Sequence, residues 1–283
     1  MLRPIALANT HMECRYLKET VPALTDLLAF EKVAERPGEV TLKHPNTDWQ
    51  LVVHEAGDDA AVKQMHNHWG VRVMAKGEVD AAYEYLTAHK EEYGLKQIGN
   101  PLFNHGSYSV YFLEPGTNGW EIECYENVQF REKTKTNFGG VWSPHWNSPL
   151  PPERFPGHGY VPQGFTHGTL AVRDLKTSWN FYANVLGLAV FQANDHVVYI
   201  KHPKTKPYVV CAVRDEYKTF SPNFRFTLAL ESEEAVADGY RWLAKSGKEL
   251  GVTELCELRS DGPVCSFLFS DPDRNWWEVC SPN

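Results

Sequence analysis

Two glutamates, Glu121 and Glu123, stand two residues apart in the run Trp120-Glu-Ile-Glu-Cys-Tyr125, which alternates polar with apolar. Side chains alternate across a strand, so both carboxylates fall on one face and Trp120, Ile122 and Cys124 on the other. The run before it, 108–113, is rich in aromatic and β-branched residues, and Glu114-Pro115-Gly116-Thr117-Asn118-Gly119 breaks it. The pair reads as a hairpin that brings Tyr111 and His105 close to the two acids. Acids, a phenol and an imidazole on one face can take part in acid–base or metal chemistry. An exposed antiparallel face also carries glutamate as a matter of course, and Tyr111 can equally be a core aromatic.

The elements that must position this face are legible along the chain. With 283 residues there is room for two modest domains, each with its own core. The formal charge of -8 speaks against nucleic acid and anionic membrane as partners. No apolar run reaches membrane-spanning length and the N-terminus lacks a signal peptide's apolar core, so a cytoplasmic location is expected. The six cysteines form no CxxC pair and are expected as reduced, buried thiols.

Residues 5–14 read as a strand, 18–29 as a helix with Val21, Leu24, Leu27 and Leu28 on one stripe, and three short strands follow. The pattern restarts at 68–74, with an amphipathic helix over 79–93 and strands reaching Tyr125. A proline-rich stretch, 128–164, shows neither helical nor strand period. Its aromatics, Trp142, Trp146, Phe155 and Tyr160, predict an ordered strap that either covers a site or joins the domains. Two further repeats follow, with helices over 174–186 (capped by Asp174) and 233–246. The two halves match by one constant increment, which pairs Leu86 with Leu243, Pro115 with Pro272 and Glu121 with Glu278.

The segments THGTLAVRDLKTSWNFYANVLGLAVF and SDPDRNWWEVC resemble the first and last strands of a vicinal-oxygen-chelate (glyoxalase/bleomycin-resistance/dioxygenase) module. Four such modules in one chain resemble the two-domain type I extradiol ring-cleavage dioxygenases, over nearly all of the chain except the proline-rich crossing. The resemblance implies an α+β fold of four βαβββ modules paired in order. The domains would be 1–127, carrying the metal, and 165–283, metal-free, with 128–164 between them.

In that family a metal is held by a histidine on one module's first strand, a histidine on the next module's first strand and a glutamate on that module's last strand. Those positions here are His11, His68 and Glu121, and HNHWGVRV resembles the second-histidine strand. The C-terminal pair keeps His167 and Glu278, but Arg225 matches His68, Leu268 matches Tyr111 and Gly262 matches His105. A guanidinium cannot donate a lone pair to a metal. Aligning the helices of the first and third modules places Asn9, not His11, opposite His167.

The resemblance further implies Fe(2+), with Mn(2+) or another divalent metal as the alternative, a small aromatic diol and O2 as substrates, and a homo-oligomer. His54 would be the acid–base histidine, and His105 and Tyr111 would hydrogen-bond the substrate oxygens. The activity implied is Fe(II)-dependent cleavage of a catechol-type or hydroquinone-type ring. Two other readings stay open: a glyoxalase-like isomerase or lyase, with His54 as a fourth ligand, and a non-catalytic binder of flat aromatic ligands.

Overall fold

The computed structural model describes residues 1–60, 65, 67–104, 106–125, 146, 148–215, 219–260 and 264–282. The expected rhythm of strand, helix and further strands occurs four times. Module one is β1 (Ala6–Cys14), α1 (Leu17–Leu28), β2 (Glu31–Arg36), β3 (Glu39–Lys43) and β4 (Gln50–Glu55). Module two is β5 (His68–Arg72), α2 (Lys76–Ala88), β6 (Gln97–Ile98), β7 (Leu102–Asn104), β8 (Ser107–Leu113) and β9 (Gly119–Cys124). Module three is β10 (Gly164–Val172), α3 (Leu175–Asn184), β11 (Ala189–Asn194), β12 (Val197–Lys201) and β13 (Tyr208–Val213). Module four is β14 (Arg225–Ala229), α4 (Glu233–Leu250), β15 (Glu254–Leu255), β16 (Ser266–Ser270) and β17 (Trp276–Cys280). The class is α+β, as expected.

The chain forms two compact units, Met12–Gly168 and Met1–His11 with Thr169–Asn283. They are not the sequential domains 1–127 and 165–283. The reason is strand pairing. β1 runs antiparallel to β14, from Ala6 opposite Ala229 to His11 opposite Arg225. β10 runs antiparallel to β5, from Gly164 opposite Arg72 to Gly168 opposite Trp69. The first strand of module one therefore meets the first strand of module four, and that of module three meets that of module two. Within Met12–Gly168 the strands run β10-β5-β9-β8-β6, with β7 on β8, and a second run is β4-β3-β2. Within the other unit they run β15-β16-β17-β14-β1 and β11-β12-β13-β10.

The hairpin of β8 and β9 shows how sequence makes this surface. Val110, Phe112, Trp120 and Ile122 alternate onto one face, all fully buried, and α2 packs there with Val79, Ala82 and Leu86. The turn between the strands is organised by a buried carboxylate. Glu114 accepts from Thr20 Oγ1 at 2.8 Å, Gly116 N at 2.6 Å, Asn118 N at 2.9 Å and Asn118 Nδ2 at 2.7 Å. Asp271 does the same in module four, accepting from Tyr182, Asp273 and Asn275. Thr117 and Arg274, at matching positions, share the left-handed conformation, with φ of 70° and 62°. Matching bulges also fall between Leu7 and Asn9 in β1 and between Phe165 and His167 in β10. The repeat thus extends to backbone irregularities.

The expected cap on α3 is present, with Asp174 Oδ2 accepting from Thr177 N at 2.7 Å. In the strap, Tyr160 donates to Leu27 O at 3.0 Å, and Phe155 and Val161 pack with Ala29 and Leu150. These anchors tie the described part of the strap to α1; Trp142 lies outside the described residues, and Trp146 shows no described contact. All six cysteines are free thiols, four of them buried. No helix among the described residues is long and apolar enough to cross a membrane.

Gly116 tests the turn. A Cβ there would lie 2.5 Å from Thr20 Oγ1 and 2.7 Å from both Cys14 Cβ and Glu114 Oε1. Gly116→Ala should cost about 1–3 kcal/mol of stability in urea unfolding, the usual penalty of overpacking. An unchanged midpoint would show that the turn has slack.

Candidate metal centre

Glu121 and Glu123 share one face of β9, as alternation requires, yet neither faces water: they are 4% and 1% exposed. Buried carboxylates need partners inside the protein. Glu123 Oε1 accepts from Arg72 Nη2 at 2.6 Å and Nε at 3.1 Å. Glu121 Oε2 lies 3.1 Å from both His68 Nε2 and His167 Nε2. The other Glu121 oxygen accepts from the Tyr111 hydroxyl at 2.7 Å. Burial, followed by the Glu121 charge, pushes that hydroxyl well above its ordinary range, so it remains a donor.

One row across the sheet brings these groups together. His167 on β10 is opposite Gly70 on β5, Gly70 is level with Glu121 on β9, and Glu121 is opposite Tyr111 on β8. Neighbouring strands are about 4.8 Å apart, so the backbones of His167 and Glu121 are roughly 10 Å apart. The imidazole closes that gap by leaning over Gly70. It can do so because Gly70 has no side chain: a Cβ there would lie 2.0 Å from His167 Cε1. His68 comes two residues before Gly70 on the same face, while Trp69 between them is buried on the opposite one.

The ligating atoms of His68, Glu121 and His167 all lie within 4.8 Å of one another. His68 Nδ1 is 2.7 Å from the Met65 carbonyl oxygen, which can only accept. The Nδ1 atom therefore carries the ring proton, and the neutral imidazole turns a bare Nε2 toward a carboxylate. Two acceptors so close require a cation between them. Two imidazole nitrogens and one carboxylate fit a divalent transition metal, and among the described residues no fourth ligating side chain joins them. A proton can also meet the need. Burial would lower the pKa of His167, but Glu123 and Glu121 outweigh it and raise it to about 9. Burial would raise that of Glu121, but its contacts with His167 and His68 hold it well below the usual range. Metal binding displaces such a proton.

This is not the ligand set expected from the sequence. His68 and Glu121 are in place, but the third member is His167, not His11, because β10 and not β1 is the strand beside β5. Tyr111 spends its hydroxyl on Glu121, where a substrate contact was expected. His54 sits on β4 with Nδ1 3.5 Å from Glu39 Oε2, and β4 belongs to the run β4-β3-β2, not to the strands carrying the centre. His105 lies outside the described residues. Gly70 was missed altogether. Its signal is the spacing in His68-Trp-Gly70, against Arg225-Phe-Thr227 at the matching place.

The other unit repeats the row with different side chains. Asn9 is opposite Thr227, Thr227 is level with Glu278, and Glu278 is opposite Leu268. The register that set Asn9 opposite His167 is the one found. Arg225 Nε donates to Glu278 Oε2 at 2.9 Å, Thr227 Oγ1 donates at 3.1 Å, and His11 Nε2 lies 3.3 Å away. A guanidinium supplies the positive charge here. Burial would raise the pKa of Glu278, but His11 and Arg225 hold it at about 2.

Residues 164–279 match the family model described as Glyoxalase/Bleomycin resistance protein/Dioxygenase superfamily. Over those residues the chain is similar to this superfamily. A search of curated proteins returned no match. Among solved structures, a candidate dioxygenase from Bacillus subtilis is 12% identical, with 99% of this chain and 86% of that chain covered and a TM-score of 0.64. Glyoxalase I from Zea mays is 13% identical, with 97% and 91% covered and a TM-score of 0.64. At such identities the likeness is one of fold, and it covers nearly the whole chain. The region that matches the family model begins at β10, the strand that carries His167.

Two expectations follow. Gly70→Ala should drive His167 out of the row and weaken divalent-metal binding at least about tenfold by calorimetric titration; unchanged affinity would mean that His167 is not a ligand. In the other unit, Arg225→Gln takes the guanidinium from Glu278, leaves it with the Thr227 hydroxyl and His11, and should cost about 3 kcal/mol in urea unfolding at neutral pH. The Glu278 contribution is present above its ordinary value of 4.5 and lost as pH falls toward about 2. That acid loss should move to higher pH in the variant.

Proposed function

We propose that the protein is a non-haem Fe(II)-dependent dioxygenase that opens the ring of a catechol-type or hydroquinone-type substrate with O2. The observation that supports this reading is the three-membered set of His68, His167 and Glu121, with Tyr111 on the carboxylate. Two histidines and one carboxylate, with no fourth ligating side chain among the described residues, fit the pattern of non-haem Fe(II) oxygenases. Iron bound there would supply redox activity and open coordination positions for a diol and dioxygen; Mn(II) or another divalent metal is the alternative. The rest is the work of the side chains. Tyr111 holds Glu121 Oε1, which leaves Oε2 as the oxygen turned toward both imidazoles. Met65 O fixes the orientation of the His68 ring. Burial of Glu121 and His167 keeps bulk water from the carboxylate, so its charge is less screened. In the net reaction one ring C–C bond breaks and both oxygen atoms enter the product, so no external reductant is consumed.

The fold shared with glyoxalase I supports a second reading, an isomerase or lyase using a redox-inert metal. Oxygen-electrode measurements on Fe(II)-loaded protein with a panel of catechols and hydroquinones separate the two. The expected result is one O2 consumed per ring opened, with both iron and activity lost in His68→Ala and in His167→Ala. Retention of iron in His167→Ala would overturn the ligand assignment. Turnover without oxygen by a zinc- or nickel-loaded sample would favour the isomerase.

A further inference from the structure

The far side of His167 carries a second, fully buried arrangement. Thr166, the neighbouring residue, has its Oγ1 3.0 Å from His167 Nδ1, 2.9 Å from Glu123 Oε1 and 3.1 Å from the Gly70 carbonyl oxygen. Glu123 in turn is clamped by Arg72. Exposures are 0% for Thr166, 2% for His167, 1% for Glu123 and 3% for Arg72, so water does not compete for these bonds.

The direction of the chain can be worked out from one end. Arginine only donates, and an ionised carboxylate only accepts. The one hydroxyl proton of Thr166 must go to Glu123 or to the Gly70 carbonyl, since both are acceptors. In either case a hydroxyl lone pair is left facing His167 Nδ1, so Nδ1 must be the donor. A neutral His167 is then protonated at Nδ1 and bare at Nε2, the atom turned toward Glu121. The carboxylate of Glu123 is 3.6 Å from His167 Nδ1, too far for a direct hydrogen bond, which makes the hydroxyl the link.

We propose that Thr166 is a positioning residue of the metal centre: its hydroxyl, anchored on the Glu123–Arg72 pair, sets the tautomer and ring orientation of His167 for ligation through Nε2. The inference rests on the metal-centre reading given above. It assigns His167 a different orienter from that of His68, a side-chain relay in place of a backbone carbonyl.

Metal affinity, read without turnover, is the test. Zinc(II) titration of the purified protein by calorimetry should show Thr166→Val, which keeps the shape and removes the hydroxyl, binding about 10–100-fold more weakly than wild type. Thr166→Ser should bind as wild type does, since it restores the hydroxyl. Equal affinity in Thr166→Val and wild type overturns the inference, as does equal weakening in both variants. If wild type binds no better than His68→Ala, the metal centre itself is overturned and the inference falls with it. Should Thr166→Val fail to fold, the imidazole ¹⁵N resonances of zinc-loaded wild type decide. A protonated Nδ1 and zinc-bound Nε2 at His167 support the inference, and the reverse overturns it.

Discussion

A buried carboxylate oxygen lies 3.1 Å from two imidazole nitrogens. Because His68 donates its Nδ1 proton to the Met65 carbonyl, the contact at its Nε2 needs a proton or a metal ion between the two acceptors. The local structure serves that demand. β9 delivers Glu121, β5 delivers His68 and the glycine beside it, β10 delivers His167 across the glycine, and β8 delivers the phenol that occupies the second carboxylate oxygen. Take away the convergence at Glu121 and that carboxylate becomes a buried charge held by the Tyr111 hydroxyl with no cation beside it. The Arg72–Glu123 pair, two residues along, is the other solution on the same face: a built-in cation that donates twice to one carboxylate oxygen.

The other unit shows the same choice made once more. Its row has the same strand order and register, and it too places a glutamate, Glu278, at the centre. There the glycine is Thr227, the histidine ahead of it is Arg225 and the histidine across it is Asn9. A side chain at Thr227 fills the space over which an imidazole would lean, and the guanidinium satisfies the carboxylate directly. Two copies of one framework thus settle one electrostatic problem in two ways, by leaving space for an external cation or by building one in.

Much of this was legible in the sequence because periodicity and punctuation are local. The hairpin of β8 and β9, the Asp174 cap and the matched turns at Glu114 and Asp271 follow from spacings of a few residues. The family resemblance points to His68 and Glu121, which the structure brings together. The partner of β5 does not. Whether β1 or β10 lies beside it is decided by long-range association between modules whose first strands are alike, and adjacency in sequence suggested the wrong one. That adjacency points to His11, whereas the strand beside β5 carries His167. His54 lies away from the row for the same kind of reason, because β4 lies in another run of strands. Gly70 was overlooked because an absent side chain leaves no chemical mark until its neighbour across the sheet is known.

The pairing of β1 with β14 also has a bearing on how the chain is made. Thr10 Oγ1 donates to the carbonyl of Arg225, 215 residues further on, so β1 must wait for those residues to be synthesised before its neighbour exists. Contacts of that separation slow folding, and an unpaired strand edge is exposed in the meantime. The row of the candidate metal centre has no such delay. Its last member is His167, and His68, Glu121 and His167 are all in hand while the partner of β1 is still unsynthesised. A cation present during translation could therefore seat itself in the nascent chain and hold β5, β9 and β10 in register before the final strands arrive.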